Sequence, residues 1–442
     1  MPIENVPGTD LHYHLISFDA DGRERTDDPD GLMSRRALEE LAQQPITDVF
    51  VISHGWQGDV PAARDQYNRW IAAMAGVEAD VQRLRELRPG FRPLLLGLHW
   101  PSLPWGDEEL GGGTSFSFDA PKTSPVEEMI DRYAERISDS PAAREALATL
   151  FEAARQNVAP DTLPPAVRAA YEILNREADL GSEGEGGGPG NDREPFDPEL
   201  SYQAAKEEDA ASFGGFSFGG LLSPLRQLSF WKMKDRARKI GESAGAKLLG
   251  DLQAVREGVR FHLMGHSFGC IVVSASIAGP SGESRLQRPI DSVFLVQGAL
   301  SIWSYCSDIP STPGQPGYFH PIFAGPDRRV SGPMVTTQSE FDTAVGRFYP
   351  IGAGIRRQVV FAPGELPKYG GLGAFGVRGP GPDIVDLRMK PATEPYAFEP
   401  GKVYNLESSR FINQRSGASG AHSDIDKPEV AHAFWEAVRS AG

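Results

Sequence analysis

The chain has 442 residues, 40% hydrophobic and 24% charged, with a formal net charge of −16. This is the composition of a globular protein with ample core material, and the acidic excess excludes charge-driven attraction to nucleic acid or anionic lipid head groups, while leaving hydrophobic contact with lipid open. The N-terminus, MPIENVPGTDLHYHLISFDADGRER, lacks a basic stretch followed by an apolar one, and no run of about 18 apolar residues occurs, so neither a signal peptide nor a transmembrane segment is expected.

In chain order, LHYHLISFDADGRER predicts a strand running into a turn, and LMSRRALEELAQQ a helix that Pro45 stops. Residues 46–53 form a buried strand followed at once by HGWQGD. PAARDQYNRWIAAMA has helical spacing with Pro61 in its first turn, and 92–100 is a second buried strand ending at WPSLPWGD. From 105 to 228 the character changes. Helical stretches at 125–137, 142–155 and 166–178 are followed by GSEGEGGGPGNDREP (181–195), low in complexity and expected to be mobile. Residues 213–231 are rich in glycine and phenylalanine and uncharged until Arg226. A helix is then predicted from 232, with Met233, Ala237, Ile240, Ala244, Leu248, Leu252 and Val255 stepping by three or four. Its Gly241 and Gly245 are expected to allow close packing on a sheet. Strands follow at 259–264, 291–300, 332–342 and 402–412. A buried helix follows 264, and a closing helix at 428–438 sets Val430, Phe434 and Val438 on one face. Residues 357–400, rich in glycine and proline, read either as a wall of the substrate mouth or as a peripheral excursion.

Strands alternating with helices predict an α/β protein with a mostly parallel sheet covered on both faces, whose chemistry gathers beyond the carboxyl ends of the strands. Three segments result: 1–104 and 229–442 as the two parts of the core, and 105–228 as an inserted, mostly helical lid. Two cysteines, Cys270 and Cys306, predict no disulfide framework and make the cytoplasm the default compartment. No Cys/His cluster has structural-zinc spacing.

G-x-S-x-G occurs twice, as GHSFG around Ser267 and GFSFG around Ser217, and glycine is common enough for one match to arise by chance. Only Ser267 lies between a predicted strand and a helix, the context that a nucleophile on a sharp turn requires. A capping serine is the competing reading there, and lid or pocket wall the reading of Ser217. A serine hydroxyl needs a base. His422, in the loop between the last strand and the last helix, fits the chain order nucleophile, acid, histidine. His266 is expected to point away from the reaction side and His432 to be structural; His54 belongs to the loop after the early strand. The acid that fixes the imidazole tautomer is placed at Asp342, with Glu340 and Asp308 as alternatives, while Asp424 and Asp426 read as helix caps. Backbone N–H groups of Phe268 and of Trp56, with Gln57 behind it, are the expected oxyanion donors.

VISHGW after a strand, GHSFG at the turn, QSEFD and GAHSDI together resemble the α/β-hydrolase superfamily, and HGW with LLLGLHWPS is similar to a poorly characterised bacterial group within it. The resemblance covers roughly 10–105 and 229–440. It implies a core sheet of about eight strands, Ser267, Asp342 and His422 as a triad, and neither metal nor organic cofactor. The expected activity is hydrolysis of a carboxylic ester, lipid esters included, on a small-molecule acyl substrate. Amide or thioester hydrolysis, acyl transfer, or a non-catalytic hydrolase-like binding protein docking through 105–228 are the alternatives. Oligomeric state is not legible.

Overall fold

The computed structural model describes residues 3–26, 31–56, 59–102, 126–155, 160–211, 220–326, 328–348 and 366–441. The chain divides into two compact units: Met1–Leu103 with Arg236–Gly346 and Lys368–Gly442, and Pro104–Asp235 with Arg347–Pro367. The elements before the insertion are β1 (Ile3–Asn5), β2 (His12–Ser17), α1 (Met33–Gln43), β3 (Asp48–Ser53), α2 (Val60–Gly76), α3 (Glu78–Leu87) and β4 (Pro93–His99). The second unit holds α4 (Val126–Ile137), α5 (Pro141–Arg155), α6 (Pro165–Glu177), α7 (Pro198–Ala211) and most of α8 (Ser223–Ile240). Then come α9 (Ala246–Val255), β5 (Arg260–His266), α10 (Gly269–Ala278), β6 (Ser292–Val296), β7 (Met334–Gln338), the one-turn α11 (Leu372–Phe375), β8 (Ile384–Arg388), β9 (Val403–Glu407) and α12 (Pro428–Ser440).

The first unit is built on one sheet in the order β1-β2-β4-β3-β5-β6-β7-β9-β8, in which only β1 runs antiparallel to its neighbour. Every residue of β3 is buried, as a parallel strand covered on both faces requires. On one side Phe50, Met264 and Phe294 pack with Trp70 and Ile71 of α2 and Phe434 and Val438 of α12. Burying a side chain such as Phe434 stabilises the fold by about 1.5–3 kcal/mol. Helix α9 packs against α1 and α10, which in turn lie against β2 and β4 and against β3 and β5 respectively.

The described sheet has nine strands rather than about eight. β1 and β8, which the chain-order reading does not contain, are short edge strands with no fully buried residue, so they carry no continuous buried run to announce them. β8 also gives part of 357–400 a place, at the sheet edge beside β9. The helix expected from 232 begins earlier, at Ser223, and is interrupted by a π turn at Gly241–Gly245. Those glycines meet a helix and not the sheet: a Cβ on Gly241 would lie 2.5 Å from the Val272 carbonyl oxygen of α10, and one on Gly245 would strike Ser276.

The second unit is helical. Leu147, Leu150 and Phe151 of α5 are buried, as are Tyr171 and Leu174 of α6, and Tyr133 of α4 meets Phe151 edge-on at 5.2 Å. The expectation that 181–195 is mobile is corrected here. Arg193 is buried and donates from Nε to the Gly181 carbonyl at 2.9 Å and from Nη2 to Asn175 Oδ1 at 2.8 Å. Asp192 forms an ion pair with the buried Lys234. Burial brings the Lys234 ammonium down to about 8, although Asp192 opposes the shift. The glycines serve close approach: Gly190 has φ +103°, and a Cβ there would lie 2.8 Å from Asp235 Cα. Ser217, Gln57 and the segment 103–125 lie outside the described residues. No described helix is long and apolar enough to cross a membrane.

Candidate active site

β5 ends at His266, Ser267 turns the chain, and α10 starts at Gly269. Ser267 has φ +54°, a left-handed conformation that costs a non-glycine residue energy and that clusters at functional sites. Its surroundings explain the neighbouring glycines. A Cβ on Gly265 would lie 2.7 Å from the Cys270 nitrogen, one on Gly269 2.5 Å from the His54 carbonyl oxygen, and one on Gly55 2.6 Å from Ser267 Cβ. The turn is tied on both sides: Ser267 N–H donates to the Val296 carbonyl at 3.1 Å, and its own carbonyl accepts from Cys270 at 3.1 Å and Ala299 at 3.2 Å. The ten residues of α10 are all buried, and the helix aims its positive end back at this turn.

Two loops from distant parts of the sequence meet beside it. Asp342, four residues past the end of β7, forms a bridge with Gly420, and Ala421 N–H donates to the Phe341 carbonyl at 2.8 Å. This stitching brings His422 Nδ1–H to Asp342 Oδ2 at 2.8 Å, with both residues buried. Asp342 also accepts from Gln297 Nε2 at Oδ2 (2.8 Å) and from Val345 N–H at Oδ1 (2.9 Å). With its Nδ1 proton engaged, the imidazole keeps the lone pair on Nε2, the atom a general base uses.

His266 ties the imidazole loop to the elbow. Its Nε2–H donates to the His422 carbonyl at 3.0 Å, its Nδ1 accepts from Gln66 Nε2 at 3.0 Å, and the two histidine rings lie 4.8 Å apart. Burial, reinforced by the neighbouring His422, holds the His266 pKa well below the usual histidine range, so this ring is neutral. Among the described hydrogen bonds His422 uses Nδ1 toward Asp342, and none joins its imidazole to the Ser267 hydroxyl.

The loop after β3 is held from beneath. His54 Nδ1–H donates to the Gly55 carbonyl at 2.8 Å. Its Nε2 accepts from His99 Nδ1 at 3.1 Å and from the Trp100 N–H at 3.3 Å. The Trp100 indole donates to the His54 carbonyl at 3.2 Å, and the Ser102 hydroxyl to the Gly55 carbonyl at 3.1 Å. Burial, with His99 adding to it, lowers His54 to about 3; burial, then Arg25 and Arg64, lowers His99 to about 4. Both rings are therefore neutral links that fix the backbone leading to Trp56. The Trp56 ring lies 5.8 Å from that of Phe268, so the two expected oxyanion residues sit side by side at the elbow.

The alternatives separate clearly. Glu340 is exposed, and Asp308 accepts from Gly314 N–H within its own loop. Asp424 is not a helix cap: it accepts from the backbone of Asn413 and Gln414 and pairs with Lys427, which braces the loop carrying His422. Asp426 pairs with Arg69 at 3.2 Å. Sequence reasoning missed Gln297, His99, Trp100 and Ser102. Gln297 carries no local signal, while the run LHWPS at the end of a buried strand was the signal available for the others.

One cluster has donor atoms of the kind that bind metals: Asp80, His432 and Glu436, within 4.8 Å of one another. Its atoms are already engaged. His432 Nδ1 bonds Asp80 at 2.8 Å, Arg83 pairs with Asp80, and Glu436 accepts from Tyr396 N–H at 2.7 Å and from Arg439 at 2.8 Å. These bonds join α3 to α12 around a buried core of Asp80, His432 and Glu436, in keeping with a structural His432. No protein-family model, no curated protein and no solved structure matches the chain.

Proposed function

We propose that this protein is a serine hydrolase of the α/β-hydrolase fold that cleaves carboxylic esters. The sheet order supports the fold, with Ser267 after β5, Asp342 after β7 and His422 after β9. The observation that carries the activity is the buried Asp342–His422 hydrogen bond of 2.8 Å, whose histidine is fastened through His266 to the strained Ser267 turn. A buried pair of this kind, tied through His266 to the turn that carries a left-handed serine, has a direct chemical use. His422 Nε2 takes the Ser267 proton as the hydroxyl oxygen attacks the ester carbonyl, and Asp342 stabilises the resulting imidazolium. The negative oxygen of the tetrahedral intermediate is met by backbone N–H groups of Phe268 and Trp56 and by the positive end of α10. Collapse releases the alcohol, protonated by His422, and leaves an acyl-Ser267 ester. Water deprotonated by His422 then frees the acid.

Turnover of p-nitrophenyl esters from acetate to palmitate tests this reading and measures the acyl length accommodated. Hydrolysis is expected in the native protein, and Ser267→Ala should lower kcat by on the order of 10⁴-fold or more. A folded protein that turns over none of the series, and whose Ser267→Ala variant behaves identically, supports a binding module instead.

A further inference from the structure

β6 ends at Val296, and the next residue, Gln297, has φ +46°. It is one of four described non-glycine residues with positive φ, and it stands at the end of the strand adjacent to the one that leads into Ser267. Glycine adopts such a conformation without steric cost. The glutamine side chain must therefore contribute something a glycine could not. It is fully buried and completely bonded. Its backbone N–H donates to Thr337 Oγ1 at 3.0 Å, and the Thr337 hydroxyl donates to Gln297 Oε1 at 2.8 Å. Its Nε2 donates to Asp342 Oδ2 at 2.8 Å and to the Gly373 carbonyl at 3.2 Å. Because both partners of Nε2 can only accept, the amide orientation is fixed by chemistry. Thr337 lies on β7, the strand that carries Asp342, so the amide spans the gap between the elbow strand's neighbour and the acid.

We infer that Gln297 is a positioning residue for the Asp342–His422 pair: its amide aims Asp342 Oδ2 at the imidazole and takes part of the negative charge on that oxygen. Oδ2 has two donors, Gln297 Nε2 and His422 Nδ1, and Oδ1 is held by Val345. Without the amide the carboxylate loses one of the contacts that set its rotation, and Oδ2 accepts more strongly from His422. The inference rests on the hydrolase reading for its catalytic consequence, but its structural core does not depend on turnover.

The test is Gln297→Met, which keeps the chain length and removes the donor. Two readouts are taken: kcat and KM on p-nitrophenyl acetate, and the far-downfield proton resonance of His422 Nδ1, identified by its loss in His422→Ala. Loss of one hydrogen bond to a charged group corresponds to roughly 10- to 100-fold. A fall in kcat of that size with KM within about twofold is expected, together with a further downfield move of the resonance. Should Gln297→Met fail to fold, Thr337→Val removes the hydroxyl that orients the amide, and the same two changes are expected in weaker form. An unshifted resonance in a folded variant overturns the inference, whatever happens to kcat, because a merely structural residue would leave the Asp342–His422 bond as it was. If the native protein hydrolyses no ester yet the resonance moves in the variant, the hydrolase reading fails and the positioning role stands.

Discussion

Each unit of the molecule contains a buried acid–base pair, and the two pairs are built differently. In the first unit Asp342 and His422 come from loops after different strands, 80 residues apart in sequence, and lie beside a serine held at φ +54°. In the second, Asp192 and Lys234 sit among glycine turns and helix, with Arg193 buried next to them and the Lys234 ammonium 4.8 Å from the Trp231 ring centre. The first pair has an imidazole that uses Nδ1 toward the carboxylate, and its loop is fastened to the serine turn through His266. The second pair joins two charges with no comparable strained nucleophile described beside it, and Asp192 also accepts from the Gly190 N–H at 3.0 Å. Burial of charge alone therefore does not mark chemistry. What distinguishes the first site is convergence of loops at strand ends, local backbone strain, and an imidazole held by a buried carboxylate.

This contrast can be broken by substitution in either unit. Asp342→Asn should have the largest effect. The amide reverses the imidazole tautomer, and kcat on an ester substrate should fall by on the order of 10⁴-fold while the thermal midpoint changes little. Near-native turnover would remove Asp342 from the mechanism and turn attention to the exposed Glu340. Lys234→Met should do the opposite. Removing the ammonium that pairs with the buried Asp192 carboxylate should cost about 3–5 kcal/mol in chemical denaturation. A loss below about 1 kcal/mol would contradict a stabilising role for the Asp192–Lys234 pair.

Much of the first unit was legible because its strands are buried on both faces. DVFVIS and the strand entering GHSFG are mostly apolar and almost wholly buried, and the polar residues just past their ends stand out. Ser267 and Asp342 are candidates on that ground, and His422 by chain order in the loop before the last helix. Gln297 was not legible, because a glutamine after a strand has no signature until its partner's position is known. Nor were His54 and His99 recognisable as a pair, since their contact spans 45 residues and depends on β3 and β4 lying side by side. The second unit misled for a different reason. Composition read GSEGEGGGPGNDREP as a mobile linker, yet its glycines accommodate backbone approach and its Arg193 is buried. Glycine content reports conformational freedom of the unfolded chain; whether that freedom is used for a tight turn is decided by contacts that composition does not contain.

The central claim is that Ser267 is an activated nucleophile, and covalent labelling examines it directly. Incubation with a fluorophosphonate, followed by intact-mass and peptide analysis, should find one phosphonyl group per chain, on the peptide containing Ser267, and none in Ser267→Ala. A folded protein that takes up no label, or takes it on a different serine, would contradict the account.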